Sequence, residues 1–162
     1  MKMWLMIGTP GSGKTTFAKK YLMDGESVRY ISRDEIRFSM LRANDNYFSK
    51  EKKVYDEFIA EIKEVIDDED SFITDLIVDA THLNWTSRRK LFAALGMLDG
   101  GYEWVNVIPV IVNTPVEECV RRNNKRVGLE RVPEDKLRQM DRSRTDPRND
   151  PFNYMGFFEV TV

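Results

Sequence analysis

The chain has 162 residues, enough for one domain on a prior of roughly 100–200 residues each. Hydrophobic residues make up 41% and charged residues 32%, with a net charge of −2; that balance supports a core and excludes both a disordered chain and one wholly given over to coating nucleic acid. The charge is unevenly placed, because residues 121–148 hold ten Lys or Arg against five Asp or Glu, a net of +5, which leaves −7 elsewhere.

Cys119 is the only cysteine and His82 the only histidine, which rules out an internal disulfide and a cysteine zinc site. A reducing, cytoplasmic setting fits. The N-terminal apolar run is about five residues, too short for a signal-peptide core, and no stretch nears the ~20 apolar residues of a membrane span.

In chain order, the pattern predicts a strand at Met3–Ile7, a helix at Thr15–Met23, a strand at Val28–Ser32 and a helix at Asp34–Arg42. A helix at Lys50–Ile66 follows, then a strand at Phe72–Asp79 and a helix at Thr86–Leu98. A strand at Trp104–Val112, helices at Pro115–Lys125 and Pro133–Arg144, and a last strand at Gly156–Val162 complete the series. Alternation of strand and helix implies βαβ crossovers and a parallel sheet. The expected fold is therefore α/β, a single three-layer domain over residues 1–162 with a central parallel sheet of four or five strands. In the Lys50 helix, Tyr55, Phe58, Ile59, Ile62, Val65 and Ile66 recur at three- and four-residue steps, which reads as one packed face rather than an acidic binding tail. Arg144–Tyr154 is the most loop-like stretch.

Gly8-Thr9-Pro10-Gly11-Ser12-Gly13-Lys14-Thr15 matches G-x-x-x-x-G-K-[ST], with a strand before it and a helix after it, as that phosphate-binding loop requires. Glycines let backbone N–H groups curl around phosphate oxygens, and the helix N-terminus adds a positive dipole end. Lys14 is placed to reach the β- and γ-phosphates, the Thr15 hydroxyl to ligate Mg²⁺, and Thr16 to join the nucleotide contacts.

Ligands of open parallel sheets bind beyond the C-terminal strand ends. Two carboxylates are expected there, Asp34 after the second strand and Asp79 at the end of the third. Ser32 and Glu35 fit a capping box, which leaves Asp34 free to act as general base on an acceptor hydroxyl. Arg37, three residues on, shares its helical face; it can pair with Asp34 as a surface ion pair or hold a phosphate of the acceptor. Asp79 is the candidate metal partner of Thr15. His82 is a candidate substrate contact, although a lone histidine is more often structural. Asn84 and Thr86 look like caps of the next helix.

In Val120-Arg121-Arg122-Asn123-Asn124-Lys125-Arg126, one or two cations complement a helix C-terminus, and the excess suits a flap that closes over a transferring phosphate. Arg122 and Arg126 are the candidates to touch the nucleotide phosphates, in an Arg-rich lid over roughly residues 121–140. Arg131, Arg138, Arg142 and Arg148 either extend a basic path for a nucleic acid or are merely solvated.

GTPGSGKTT, ISRDEIR, VDATHLN-x-x-x-R-R and VRRNNKR followed by VPEDKLRQM resemble, in order and spacing over roughly residues 3–145, the kinase domain of phage-type 5′-hydroxyl polynucleotide kinases. The resemblance implies an adenylate-kinase-like core that uses ATP (or another NTP) and Mg²⁺ to phosphorylate the 5′-hydroxyl of a short single-stranded DNA or RNA end. It implies a cytoplasmic site of action, that of a host cell if the protein is phage-encoded. It implies that Asp34 is the general base, that Arg37 meets an acceptor phosphate, that Lys14 and Thr15 hold phosphates and metal, that Asp79 supports the metal region and that Arg126 clamps the donor. No D-x-D-G-T motif is present, so 3′-phosphatase activity is not expected. The family's asparagine in D-T-N-L-N is replaced by His82. Small-molecule P-loop kinases, including nucleotide and sugar-nucleotide kinases, share parts of this pattern, and a non-kinase nucleotide switch would share the phosphate loop alone.

Overall fold

The computed structural model describes residues 1–161. Five strands, β1 (Lys2–Ile7), β2 (Val28–Ser32), β3 (Asp75–Asp79), β4 (Asn106–Asn113) and β5 (Phe158–Thr161), form one sheet in the order β2-β3-β1-β4-β5. Every neighbouring pair is parallel. Val162, the last residue of the expected terminal strand, lies outside the described residues.

Six helices connect the strands: α1 (Lys14–Phe17), α2 (Arg33–Met40), α3 (Glu51–Asp67), α4 (Trp85–Leu95), α5 (Val116–Asn123) and α6 (Glu134–Arg142). α1 widens into a π-type turn over Ala18–Leu22, closed by Met23 N–H on the Ala18 carbonyl at 3.1 Å. None of the described helices is long and apolar enough to cross a membrane.

The alternation of side chains along the strands sorts the core into two layers. Met3, Leu5 and Ile7 of β1 join Leu76 and Val78 of β3 on the face covered by α2, α3 and α4, where Val54, Phe58, Ile62, Leu91 and Phe92 are buried. Met6, Ile77, Val110 and Val112 face the other way, against Ala18 and Phe17. A third cluster, Cys119, Val120, Val132 and Leu137, joins α5 to α6.

The strand expected from Phe72 begins at Asp75, because Phe72 is exposed and Thr74 N–H is spent on the Ser27 carbonyl at 2.9 Å. The strand expected from Trp104 begins at Asn106, after a turn in which Val105 N–H bonds the Tyr102 carbonyl at 2.9 Å. Pro133 stands just before α6 as its N-cap, with φ −53° and ψ 134°, rather than inside the first turn. α4 ends at Leu95 because Gly96 takes a left-handed conformation with φ 77°.

Register decides where chemistry can happen. Asp79 is level with Met6 of β1 on one side and with Ser32 of β2 on the other. The glycine loop after β1, the carboxylate of β3 and the start of α2 therefore share one rim of the sheet.

Candidate active site

The glycine loop is shaped by close approach. A Cβ on Gly8 would lie 2.6 Å from Ser12 Oγ, and one on Gly11 (φ +84°) 2.6 Å from the Cys119 carbonyl oxygen. Gly13, with φ 97°, turns the loop into α1. Thr114 Oγ1 and Arg122 Nη1 donate to the Ser12 carbonyl at 2.8 and 3.3 Å, and Thr9 Oγ1 donates to Asp141 on α6 at 2.7 Å. The loop is thus tied to α5 and α6. Ser12 Oγ is buried without a partner among the described residues.

Lys14 is buried, and among the described residues its Nζ has only a long contact of 3.4 Å to the Thr9 carbonyl. Burial pushes its pKa down, while the Asp79 and Asp34 carboxylates pull it back up. An under-bonded ammonium in a glycine cradle, beside an orphaned hydroxyl, fits an anionic phosphate chain. Thr15 Oγ1 and Tyr30 Oη both donate to Asp79 Oδ2 at 2.7 Å. Mg²⁺ takes one or two protein oxygens together with substrate phosphates, and the Thr15–Asp79 pair supplies that kind of donor set.

The same cleft runs from Pro10, Gly11, Lys14 and Thr15 to Asp34, Arg37, Tyr47, Phe48 and Glu51, with Arg126, Val132 and Met140 on the opposite wall. Asp34 stands in the first turn of α2, which Ser32 caps by accepting from Glu35 N–H at 3.3 Å. Only this half of the expected capping box is present, since the Glu35 carboxylate pairs with Lys19 at 2.7 Å. Asp34 Oδ1 accepts from Arg37 Nη1 and from Tyr47 Oη, the latter at 2.7 Å. Asp34 Oδ2 has no such partner among the described residues and is left for the cleft.

Of the two roles open to Arg37, the pair with Asp34 is formed, but the arginine lies inside rather than on the surface. It is only 4% exposed, and its Nη2 donates to Glu51 Oε2 at 2.8 Å. Tyr47, which accepts from Arg37 Nη1 at 2.7 Å, keeps its proton because burial and the Asp34 charge push its phenol up.

His82 also departs from the expected role. Its backbone takes φ 42°, its ring turns inward against Phe58 and Nδ1 lies 3.0 Å from the Met6 carbonyl. That oxygen only accepts, so Nδ1 carries the proton. Burial pushes its pKa down to about 3, so the ring is a neutral core group and lies outside the cleft lining.

Arg122 and Arg126 both line a second cavity but differ in their bonding. Arg122 is committed to Glu118 at 2.6 Å and to the loop carbonyls. Arg126 makes no side-chain hydrogen bond among the described residues and lines both the cleft and that second cavity, with Gly13, Thr16, Phe17, Lys20 and Tyr21. Within the stretch 121–140 expected as a lid, 121–123 belong to α5 and 134–140 to α6, with the loop 124–131 between them. Buried Asn123 closes that loop at its base, donating Nδ2–H to the Val132 carbonyl at 2.7 Å and accepting Val132 N–H at 3.0 Å.

The sequence profile of a family described as AAA domain matches residues 3–147. The chain belongs to that family. This AAA domain shares its architecture with a chain of the Pnkp1/Rnl/Hen1 RNA repair complex, at TM-score 0.69 and 22% identity over 88% of this chain and 43% of the other. It is similar to a sugar kinase from Janibacter sp. HTCC2649, at TM-score 0.59 and 16% identity over 99% and 85%. It is also similar to a fungal RNA kinase, at TM-score 0.60 and 14% identity over 98% and 74%. The AAA domain thus spans less than half of its counterpart in the RNA repair complex. At these identities the likeness is one of fold, the P-loop kinase fold, and it embraces kinases of both RNA and sugars.

Tyr47, Glu51, Asp141 and Asn123 were not singled out by sequence reasoning. Asn123 lies inside VRRNNKR but carried no role there, and the other three stand in no motif. Arg88, the first arginine of VDATHLN-x-x-x-R-R, carried no role of its own in the sequence, yet it is fully buried.

Proposed function

We propose that this domain transfers the γ-phosphate of ATP, or of another NTP, to the 5′-hydroxyl of a DNA or RNA end. The observation that supports the reading most is that one cleft holds both the phosphate-loop Lys14 and a carboxylate, Asp34, with one oxygen uncommitted. A hydrolytic switch has no need of a second carboxylate with its own buried arginine.

In the proposed reaction, Gly8–Thr16 and Lys14 hold the donor phosphates. Mg²⁺ would be held by Thr15 and supported by Asp79, and when bound it neutralises charge on the phosphates. Asp34 Oδ2 takes the proton of the acceptor hydroxyl as that oxygen bonds to the γ-phosphorus. The bond from the γ-phosphorus to the β,γ-bridging oxygen breaks, and ADP leaves with that electron pair. Arg126 comes over the transferring group and helps to exclude water. Tyr47 and exposed Phe48, with ring centroids 4.8 Å apart, give the acceptor end an aromatic rim suited to a nucleobase.

One observation favours a small-molecule acceptor instead: the guanidiniums of Arg33 and Arg37 at the acceptor end are already paired with carboxylates. The experiment offers labelled ATP with a 5′-hydroxyl oligonucleotide, a nucleoside 3′-monophosphate, free nucleosides and sugars, and water. Label in the oligonucleotide and the 3′-monophosphate, lost in Lys14→Ala, is the expected result. Label only in nucleosides or sugars moves the assignment to a small-molecule kinase, and label only in inorganic phosphate to a hydrolytic switch.

A further inference from the structure

We infer that Glu51 is an internal anion occupying an acceptor-phosphate site built by Arg33 and Arg37, and that it must swing away for a phosphate-bearing acceptor to bind. This rests on the polynucleotide reading above and adds to it the second arm of the site and its resident competitor.

Glu51, the first residue of α3, bridges two arginines with one oxygen each: Oε1 accepts from Arg33 Nη2, and Oε2 from Arg37 Nη2 at 2.8 Å. Two oxygens of one anion spread across two guanidiniums is also how a phosphate is bound. The bridge is asymmetric in a way that says which partner can leave. Arg37 is 4% exposed, whereas the Glu51 side chain is 36% exposed. Arg37 is further fixed by Asp34 and Tyr47, and Arg33 lies over the Tyr55 ring at 5.2 Å. Both arginines keep a buried Nε without a partner among the described residues. Two buried or half-buried cations therefore form the fixed part, and a half-exposed carboxylate is the removable part. Exchange of Glu51 for a phosphodiester replaces one negative charge by another, so the buried guanidiniums never lose compensation. A nucleoside offers no charge to make that exchange. The pairing that speaks against a phosphate grip is, on this account, the grip in its closed state.

An occupied site weakens apparent affinity by the fraction of molecules in which it is free. Glu51→Gln keeps the shape and removes the charge. Its KM for a nucleoside 3′-monophosphate and for a 5′-hydroxyl oligonucleotide should fall about five- to thirtyfold. The inhibition constant of inorganic phosphate against the oligonucleotide should fall in parallel, with no gain on the matching nucleoside. Glu51→Asp, too short to span both arginines, should fall between the two. In the wild-type protein, a saturating 3′-monophosphate should speed hydrogen exchange in the first turn of α3, and the nucleoside should not.

A rise in KM, or no change, in Glu51→Gln would mean that Glu51 positions Arg37 rather than competes for it, and the inference falls while the polynucleotide reading stands. Unchanged exchange on binding the 3′-monophosphate overturns it equally, whatever the variants do. If the wild-type protein labels neither phosphate-bearing acceptor, the polynucleotide reading fails and takes this inference with it.

Discussion

Asp150→Ala should cost this fold about 3–5 kcal/mol, the size expected when one partner of a buried ion pair is removed. Arg88 is fully buried and makes five hydrogen bonds: Nε and Nη2 to the two Asp150 oxygens at 2.6 and 2.8 Å, Nη1 to the His82 carbonyl at 2.8 Å, and Nη2 to the Thr145 carbonyl and hydroxyl at 3.2 and 2.9 Å. The Asp150 side chain is only 2% exposed and also accepts from Tyr154 Oη at 2.7 Å. The alanine variant strands a guanidinium in the core and leaves a half-buried phenol without its acceptor, whereas the coil keeps both in water. For a chain of this size each kcal/mol corresponds to about 2–4 °C, so the melting temperature should fall by roughly 6–20 °C. Urea titration at neutral pH, followed by far-UV circular dichroism, should show a lower midpoint with an unchanged slope. The double variant Arg88→Met with Asp150→Leu should lose less than Asp150→Ala, because no charge is left unpaired. A loss below about 1 kcal/mol for Asp150→Ala, or a double variant worse than the single, would refute the claim that charge compensation fixes this corner.

Asp34→Asn should lower kcat by about 10²–10⁴-fold and leave the KM for ATP nearly unchanged, since the proton acceptor is lost while Arg37 keeps its bonds to Glu51 and Tyr47; a collapse of ATP affinity in steady-state kinetics would assign Asp34 to the donor side. Gly11→Ala should raise the KM for ATP at least about tenfold, because the new Cβ meets the Cys119 carbonyl at 2.6 Å in a left-handed conformation costing ~1–2 kcal/mol; normal kinetics would refute that reading of the loop. His82 is neutral in the fold with a pKa near 3, against 6.5 when unfolded, so the unfolded chain binds the extra proton and stability falls as pH drops from about 6.5 toward 3. Melting curves over that window should fall more steeply for the wild type than for His82→Gln, and parallel slopes would show that the ring is not buried in its neutral form.

The series of strands and helices and the position of the glycine loop were legible because their signals are local. The glycine loop announces itself by residue type and spacing, and Asp79 by ending an apolar run that the register then sets beside Met6 and Ser32. The acceptor half was not legible to the same degree. Tyr47 sits in a loop with no periodicity, and Glu51 begins a helix whose apolar face was the only readable signal; what matters in both is contact with Arg37, 10 and 14 residues away. His82 misled because its proximity to Asp79 in sequence says nothing about rotation, and one residue with φ 42° turns the ring into the core. Nothing local marks Arg88 for burial, which comes from the return of the chain at Thr145 and Asp150.

The Asn123 clasp has a consequence for how such a domain can change over generations. With both hydrogen bonds of Val132 closed on one side chain, the eight residues 124–131 hang from a fixed pair of posts. Changes in the length or composition of that segment need not propagate into α5 or α6, which are fixed by their own cluster. Arg126, which lines the cleft, is therefore carried on a segment whose anchoring is separate from that of the glycine loop. The asparagine, more than any arginine, is the position on which that separation rests.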